Sequence, residues 1–287
     1  MPDSPLTVAQ LLRATAAALT PLSTTPRLDA ELLLAAVLQW PRSRVLAEYA
    51  LVPSTQQLAA FEVLVARRMQ REPIAYLLGS REFFGLEFAV DRRVLIPRPE
   101  TELLVERALA FAAARTGRRL RIADIGTGSG AIAVALAVHL PHAEIIAGDI
   151  SPDALAVAAA NAARHQVSQR ISLRRGDLLE VIDAPIDLLI SNPPYTLIDE
   201  IEPGVAAHEP HLALDGGPDG LMFYRRLLAG AGAVLQPGGA LLLEIGAWQG
   251  ADLLRMTAAA LPHAAVRILP DLAGLDRVVE ARHDSVI

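Results

Sequence analysis

The chain reads as an α/β protein, a doubly wound and mostly parallel sheet, preceded by a small helical bundle and a β-hairpin. Three observations predict this. Strand-like and helix-like segments alternate from about residue 99 onward. A glycine-rich turn, Asp124-Ile-Gly-Thr-Gly-Ser-Gly130, follows the first strand of that region and opens a helix. Residues 1 to about 80 carry helical periodicity only.

The elements follow in order. Thr7-Val-Ala-Gln10 and Ser54-Thr-Gln-Gln57 fit the capping box, in which both side chains satisfy free backbone N–H groups at a helix start. Leu58, Phe61, Leu64 and Val65 recur at helical spacing, and Leu28, Leu32, Val37 and Leu38 suggest a second helix. Pro21, Pro26, Pro41, Pro53 and Pro73 punctuate these segments. Residues 81–98 change character: Phe83, Phe84, Phe88, Val90, Val94 and Ile96, with Gly85 among them, predict a β-hairpin linking two domains. Strands are then expected at 121–125, 144–147, 171–174, 187–191, 240–244, 265–269 and 276–281, with helices at 101–114, 131–140, 152–165, 221–235 and 249–261. The domain boundaries are thus 1–80, 81–98 and 99–287.

Composition narrows the function classes. The 287 residues carry a formal net charge of −6, and every basic residue is arginine. An acidic balance argues against an extended nucleic-acid footprint. The helical region is close to neutral, with seven Arg against six Asp plus Glu, which suits a protein-docking module better than a nucleic-acid clamp. With no cysteine, disulfides and thiolate metal sites are excluded. The seven histidines are scattered, and neither His139 with His142 nor His208 with His211 brings further ligands, so no metal site is expected. The opening Met1-Pro-Asp-Ser-Pro5 has no signal-like character and the longest apolar run, 131–138, is too short for a bilayer, so a cytoplasmic protein without membrane contact is expected.

The glycine loop signals a nucleotide-type site. Gly126, Gly128 and Gly130 let the backbone turn tightly and approach a ligand. Asp149 ends the next strand, where a carboxylate accepts hydrogen bonds from ribose hydroxyls. Both features also fit a dinucleotide, since Gly126-x-Gly128-x-x-Ala131 passes as that fingerprint. Asp124, just before the glycines, favours a cationic ligand over a pyrophosphate and points to S-adenosylmethionine. After the third strand, Asp177 is placed to accept from an adenine amine and Leu178 to pack on the ring; Asp177 as a helix cap is the competing reading.

The most specific feature is Asn192-Pro193-Pro194-Tyr195. A buried strand ends there in two prolines, which cannot continue it and freeze a turn past its carboxyl end, where open α/β sheets bind ligands. A conjugated NH2 group is a poor nucleophile because its lone pair is delocalised. The Asn192 side-chain oxygen and the Pro193 carbonyl could hold both N–H bonds and align that lone pair, already in place before reaction. Tyr195 could cover the flat group and face a sulfonium.

With these residues in hand, the chain resembles the HemK/PrmC family of release factor glutamine N5-methyltransferases. The resemblance runs through Pro73-Ile-Ala-Tyr-Leu-Leu-Gly79, the Phe83–Phe88 hairpin, Ile96-Pro-Arg-Pro-Glu-Thr-Glu102, Asp124–Gly130, Asp149, Asn192–Tyr195 and Ala213-Leu-Asp-Gly-Gly-Pro-Asp-Gly-Leu221. It implies a Rossmann-like class I methyltransferase sheet of seven strands, the last antiparallel, behind a helical substrate-recognition domain. It implies methyl transfer from S-adenosylmethionine to the glutamine of the Gly-Gly-Gln tip of class-1 peptide chain release factors. Cofactor contacts then fall on Gly126, Thr127, Gly128, Ser129, Gly130, Asp149, the neighbourhood of Leu178, and Asn192. Substrate contacts fall on Asn192, Pro193, Pro194 and Tyr195, with Asn192, Pro193 and Tyr195 as the catalytic set. Family members often carry an aromatic residue where this chain has Leu178. Arg98, Glu100 and Thr101 either shape the site or serve structure, Thr101 as a helix cap. The alternative is an adenine or guanine amino-methyltransferase, which would use the same turn but should bring a basic face.

Overall fold

The computed structural model describes residues 6–115 and 117–283. The opening Met1-Pro-Asp-Ser-Pro5, read above for targeting signals, lies outside the described residues. Two compact units form: Met1–Ser80 with Glu202–His208, and Arg81–Ile201 with Glu209–Ile287.

The first unit is helical: α1 (Val8–Leu19), α2 (Pro26–Leu38), α3 (Arg42–Ala47), α4 (Thr55–Met69) and α5 (Ile74–Leu78). Both expected capping boxes form. Thr7 and Ser54 accept from the backbone of Gln10 and Gln57, whose side chains reach back to the two cap N–H groups at 2.8 and 2.9 Å. The core joins Val8, Leu12, Leu33, Leu34, Val45 and Phe61. The α2 face differs from expectation, because Leu33 and Leu34 are buried while Leu28 is 36% exposed. Ion pairs lock the bundle: Arg68 to Asp29 at 2.9 Å, and Glu31 between Arg27 and Arg42.

The second unit opens with the hairpin β1 (Ser80–Phe83) and β2 (Leu86–Ala89). Phe84 and Gly85 both have positive φ, the backbone a two-residue hairpin turn demands. Phe83 and Phe88 pack edge to face at 6.0 Å. Next come α6 (Glu102–Ala113), β3 (Arg121–Ile125), α7 (Ala131–His139), β4 (Glu144–Asp149), α8 (Pro152–Arg164), β5 (Ile171–Arg175) and β6 (Ile186–Ser191). Asn161 of α8 anchors the hairpin by exchanging hydrogen bonds with the Ala89 backbone at 2.7 and 3.0 Å. The excursion carrying α9 (Pro203–His208) groups with the helical unit, where His208 pairs with the Gln70 carbonyl at 3.0 Å. The chain then completes α10 (Met222–Val234), β7 (Leu235–Glu244), α11 (Gly250–Ala260), β8 (Ala264–Pro270) and β9 (Asp276–His283).

The seven-stranded sheet has the order β5-β4-β3-β6-β7-β9-β8. All neighbours are parallel except the last strand, β9, which runs antiparallel to both β7 and β8. Strand alternation divides the core. Ala123, Ile125, Leu189, Leu241 and Leu243 face α10 and α11 residues such as Tyr224, Leu227 and Leu253. Ile122, Leu188, Ile190 and Leu242 are equally buried on the other face. The Leu235 start of β7 lies upstream of the expected 240. Leu235 pairs with Ile186 and the ladder shifts register before resuming at Leu188 and Ala240, across Pro237-Gly-Gly239.

Candidate active site

The strand order reverses at β3, which pairs with β4 on one side and β6 on the other. The crevice beyond the carboxyl ends of β3 and β6 is the ligand position of such sheets. The two motifs meet there: Gly126 leaves β3 and Asn192 leaves β6, and both line a cavity of about 310 Å³.

Gly126, Gly128 and Gly130 all take positive φ, alternating with Thr127 and Ser129. The N–H groups of Gly126 and Thr127 both donate to the Gly148 carbonyl, tying the loop to the end of β4. At Gly130 a side chain would meet Ala158 at 3.1 Å, so α8 also needs a glycine there. Gly126 and Gly128 line the cavity; Thr127, Ser129 and Gly130 instead shape the loop behind it. Thr127 donates its hydroxyl proton to Asp124 at 2.7 Å, and the Ala133 N–H donates to the same oxygen. Asp124 is fully buried, and burial pushes its carboxyl up to about 7. Its Oδ1 has no partner. Asp124 therefore sits beneath the glycines, out of contact with the cavity.

Asp149 does reach the cavity. Its oxygens accept from the Gly128 and Ser151 N–H groups, both at 2.9 Å, and as an ionised carboxylate it keeps acceptor capacity for a ligand. Burial raises its pKa. Asp177 and Leu178 also line the cavity. The Glu180 side chain reaches back to the Asp177 N–H at 3.3 Å, and the Asp177 carboxylate pairs with Arg226 at 2.6 Å. Leu178 holds a positive φ of 51°, a strained conformation for a branched residue at a cavity wall. Both cavity arginines are paired, Arg226 with Asp177 and Arg93 with Asp91.

Pro193 and Pro194 line the cavity beside Asn192, whereas Tyr195 does not. Tyr195 donates its hydroxyl to Glu244 at 3.3 Å and meets Trp248 edge-on at 6.3 Å. Burial pushes the Tyr195 phenol well above its ordinary value. The Asn192 amide donates to the Thr101 hydroxyl at 3.2 Å, and that hydroxyl donates to Glu244 at 2.6 Å. Thr101 accordingly makes no side-chain cap for α6, contrary to one of its two expected roles. Glu209 had no expected role. It is buried, accepts from the Ile96 N–H at 3.0 Å and the Arg98 guanidinium at 2.6 Å, and tethers the segment whose Pro210 and Leu212 rim the cavity.

Sequence reasoning missed Glu244, which stands at the end of β7 and is fully buried, and Phe223, which lines the cavity from α10. The Glu244 signal was visible as a carboxylate closing an apolar strand; Phe223 had none.

Two family models match, the PrmC N-terminal domain over residues 10–79 and the methyltransferase small domain over residues 100–208. A curated relative from Cereibacter sphaeroides, named release factor glutamine methyltransferase, is 48% identical over 78% of this chain and 79% of its own. One of the same name from Geobacter sulfurreducens is 43% identical over 89% of both chains. Solved structures share the fold: a Pyrococcus furiosus methyltransferase (18% identity, TM-score 0.51, 76% of this chain and 97% of that one) and a Thermus thermophilus 16S rRNA N2 G1207 methyltransferase (17%, 0.50, 71% and 49%). Identity this high, carried across nearly the full length of both chains and joined to the matching N-terminal model, means that this chain belongs to the release factor glutamine methyltransferase family.

Proposed function

We propose that this chain transfers a methyl group from S-adenosylmethionine to the side-chain amide nitrogen of the glutamine in the Gly-Gly-Gln motif of class-1 release factors. The observation that carries the reading is the Asn192–Pro194 turn sharing one cavity with the glycine loop in a member of this family. The donor set fits the cofactor. Asp149 keeps acceptor capacity for ribose hydroxyls, and the buried, half-partnered Asp124 beneath the glycines suits a cation. A pyrophosphate would meet the Asp149 carboxylate, and both arginines that line the cavity are already paired with carboxylates.

Once bound, S-adenosylmethionine supplies an electrophilic methyl on a sulfonium. Gly126, Gly128 and Asp149 would hold it, and Leu178 with Phe223 would supply apolar surface at the same wall. The Asn192 Oδ1 and the Pro193 carbonyl accept the two N–H bonds of the substrate amide, turning its nitrogen lone pair toward the methyl. The methyl would pass to that nitrogen, with the S–C electron pair left on sulfur. The excess proton on nitrogen is acidic and passes to water, so no side-chain base is needed. Tyr195 braces the turn through Glu244 and Trp248 rather than facing the cavity. Residues 1–80 serve as the docking domain for the factor, and the reaction takes place in the cytoplasm, where translation ends.

The test supplies labelled S-adenosylmethionine with purified release factor, a factor lacking the motif glutamine, and bulk RNA and DNA. Label on the intact factor alone is expected. Label on nucleic acid alone would assign the turn to a base amine instead.

A further inference from the structure

A carboxamide has two ends of nearly equal shape and opposite hydrogen-bonding character. Asn192 can hold a substrate NH2 only if its oxygen, not its nitrogen, meets the cavity. The structure contains a device that decides this. Glu244 closes β7 as a fully buried carboxylate. When ionised, its side chain offers acceptors only. Its Oε2 takes the Thr101 hydroxyl proton at 2.6 Å, and its Oε1 takes the Tyr195 hydroxyl proton at 3.3 Å. Tyr224 adds a bond from its hydroxyl to the Glu244 backbone carbonyl at 2.8 Å, and the Arg277 guanidinium adds a favourable field.

Thr101 has one hydroxyl proton, and the ionised Glu244 holds it. The Thr101 oxygen is then an acceptor toward everything else, and it receives the Asn192 Nδ2 at 3.2 Å. The carboxamide is thereby fixed with its nitrogen inward, leaving Oδ1 for the cavity that Asn192 lines. We propose that Thr101 and Glu244 are positioning residues that hold the Asn192 oxygen toward the substrate, and that this relay makes the site select a side-chain amide over a carboxylate.

The selection follows from counting donors and acceptors. A glutamine amide brings two N–H donors to two acceptors, Asn192 Oδ1 and the Pro193 carbonyl. A glutamate brings acceptors only and meets like against like. If the carboxamide turned over, its NH2 would face the cavity, welcome the carboxylate and leave one amide N–H unmatched. Hydrogen-bonding sites discriminate most strongly when a wrong ligand leaves their polar groups unpaired. Burying a carboxylate is costly unless its partners are good, and packing alone gives no reason to place one at the end of an apolar strand. Glu244 is accounted for by what it imposes on Thr101.

The proposal rests on the glutamine reading, and the experiment separates the two. Methyl transfer to the purified release factor is measured for the parent, Thr101→Val and Thr101→Ser, together with the melting temperature and the Kd for S-adenosylmethionine. A factor whose motif glutamine is replaced by glutamate serves as competitor. The valine keeps the shape and removes the relay; the serine restores it. Expected for Thr101→Val is a fall in kcat of about ten-fold or more with the cofactor Kd held, and a narrowed preference for the glutamine factor over the glutamate competitor. Thr101→Ser returns both toward the parent. Parent-like kcat and preference in Thr101→Val would overturn the relay alone. So would a kcat loss with unchanged preference, or a loss that tracks melting temperature and cofactor affinity and is not rescued by serine. A parent that puts no label on the factor would sink the glutamine reading, and the relay with it.

Discussion

In the proposed reaction, Asn192 is the residue on which the chemistry turns. Its oxygen and the neighbouring carbonyl are set before the substrate arrives, one by the Thr101 hydroxyl and the other by two prolines, so neither has to reorganise during methyl transfer. Asn192→Ala removes one acceptor and keeps the turn. It is expected to lower kcat by about 10²-fold, while calorimetric binding of S-adenosylmethionine changes little. A kcat near that of the parent would move the chemistry to another group. The turn was legible because proline cannot continue a central strand, which marked Asn192 without any tertiary knowledge. Its supports were not. Thr101 and Glu244 lie 91 and 143 residues from their partners Asn192 and Thr101, a separation at which sequence pattern carries no pairing. Thr101 beside a helix start looked like a cap, and tertiary hydrogen bonding took its hydroxyl instead.

At the scale of elements, a second segment holds the turn from behind. Thr196 bridges Asp215, and the Gly216 N–H donates to the Thr196 carbonyl at 2.9 Å. A Cβ on Gly216 would lie 2.6 Å from the Tyr195 Cα, and one on Gly220 2.6 Å from the Tyr195 carbonyl oxygen. Two glycines in Asp215-Gly-Gly-Pro-Asp-Gly220 are thus required by the backbone they pass. Gln249 adds a bond to the Gly220 carbonyl at 2.9 Å. Gly216→Ala is predicted to push the turn out of place, costing about 1–3 kcal/mol in denaturant unfolding and lowering kcat more than cofactor affinity. Full activity at parental stability would show that the turn tolerates the displacement. Most elements were readable, since parallel strands buried on both faces stand out as apolar runs between glycine and proline signals. The exceptions are informative. β7 starts at Leu235 because Ile186 recruits it across a Pro-Gly-Gly stretch that reads as a turn. On α2 several leucines compete for one face, and only the packed bundle decides that Leu33 and Leu34 go inward.

Over the whole molecule, the site leaves a mark on stability. Burial raises Asp124 and Glu244 each to about 7, against ordinary values of 3.8 and 4.5. Asp149 is raised for the same reason. Between roughly pH 4 and 7 the folded chain therefore binds more protons at these groups than the unfolded chain does. By linkage, their contribution falls as pH rises through that window, by at most about 4 kcal/mol for Asp124 and about 3 kcal/mol for Glu244. Carboxylates held low by arginines, such as Asp91 by Arg93, act oppositely and only at lower pH, where protonation costs the fold their ion pairs. The protein free of cofactor is thus predicted to be most stable on the acidic side of neutrality and to lose melting temperature from pH 5 to 8. Asp124→Asn should flatten that slope, because the amide oxygen can still accept from Thr127 and Ala133 without a charge to bury. Saturating S-adenosylmethionine should also flatten it, because a bound cation favours the ionised carboxylate beneath the glycine loop. A parent whose melting temperature rises across pH 5 to 8 without cofactor would show that these carboxylates are not held against ionisation. The same scan with cofactor tests whether the glycine loop sits over a charge that the ligand completes.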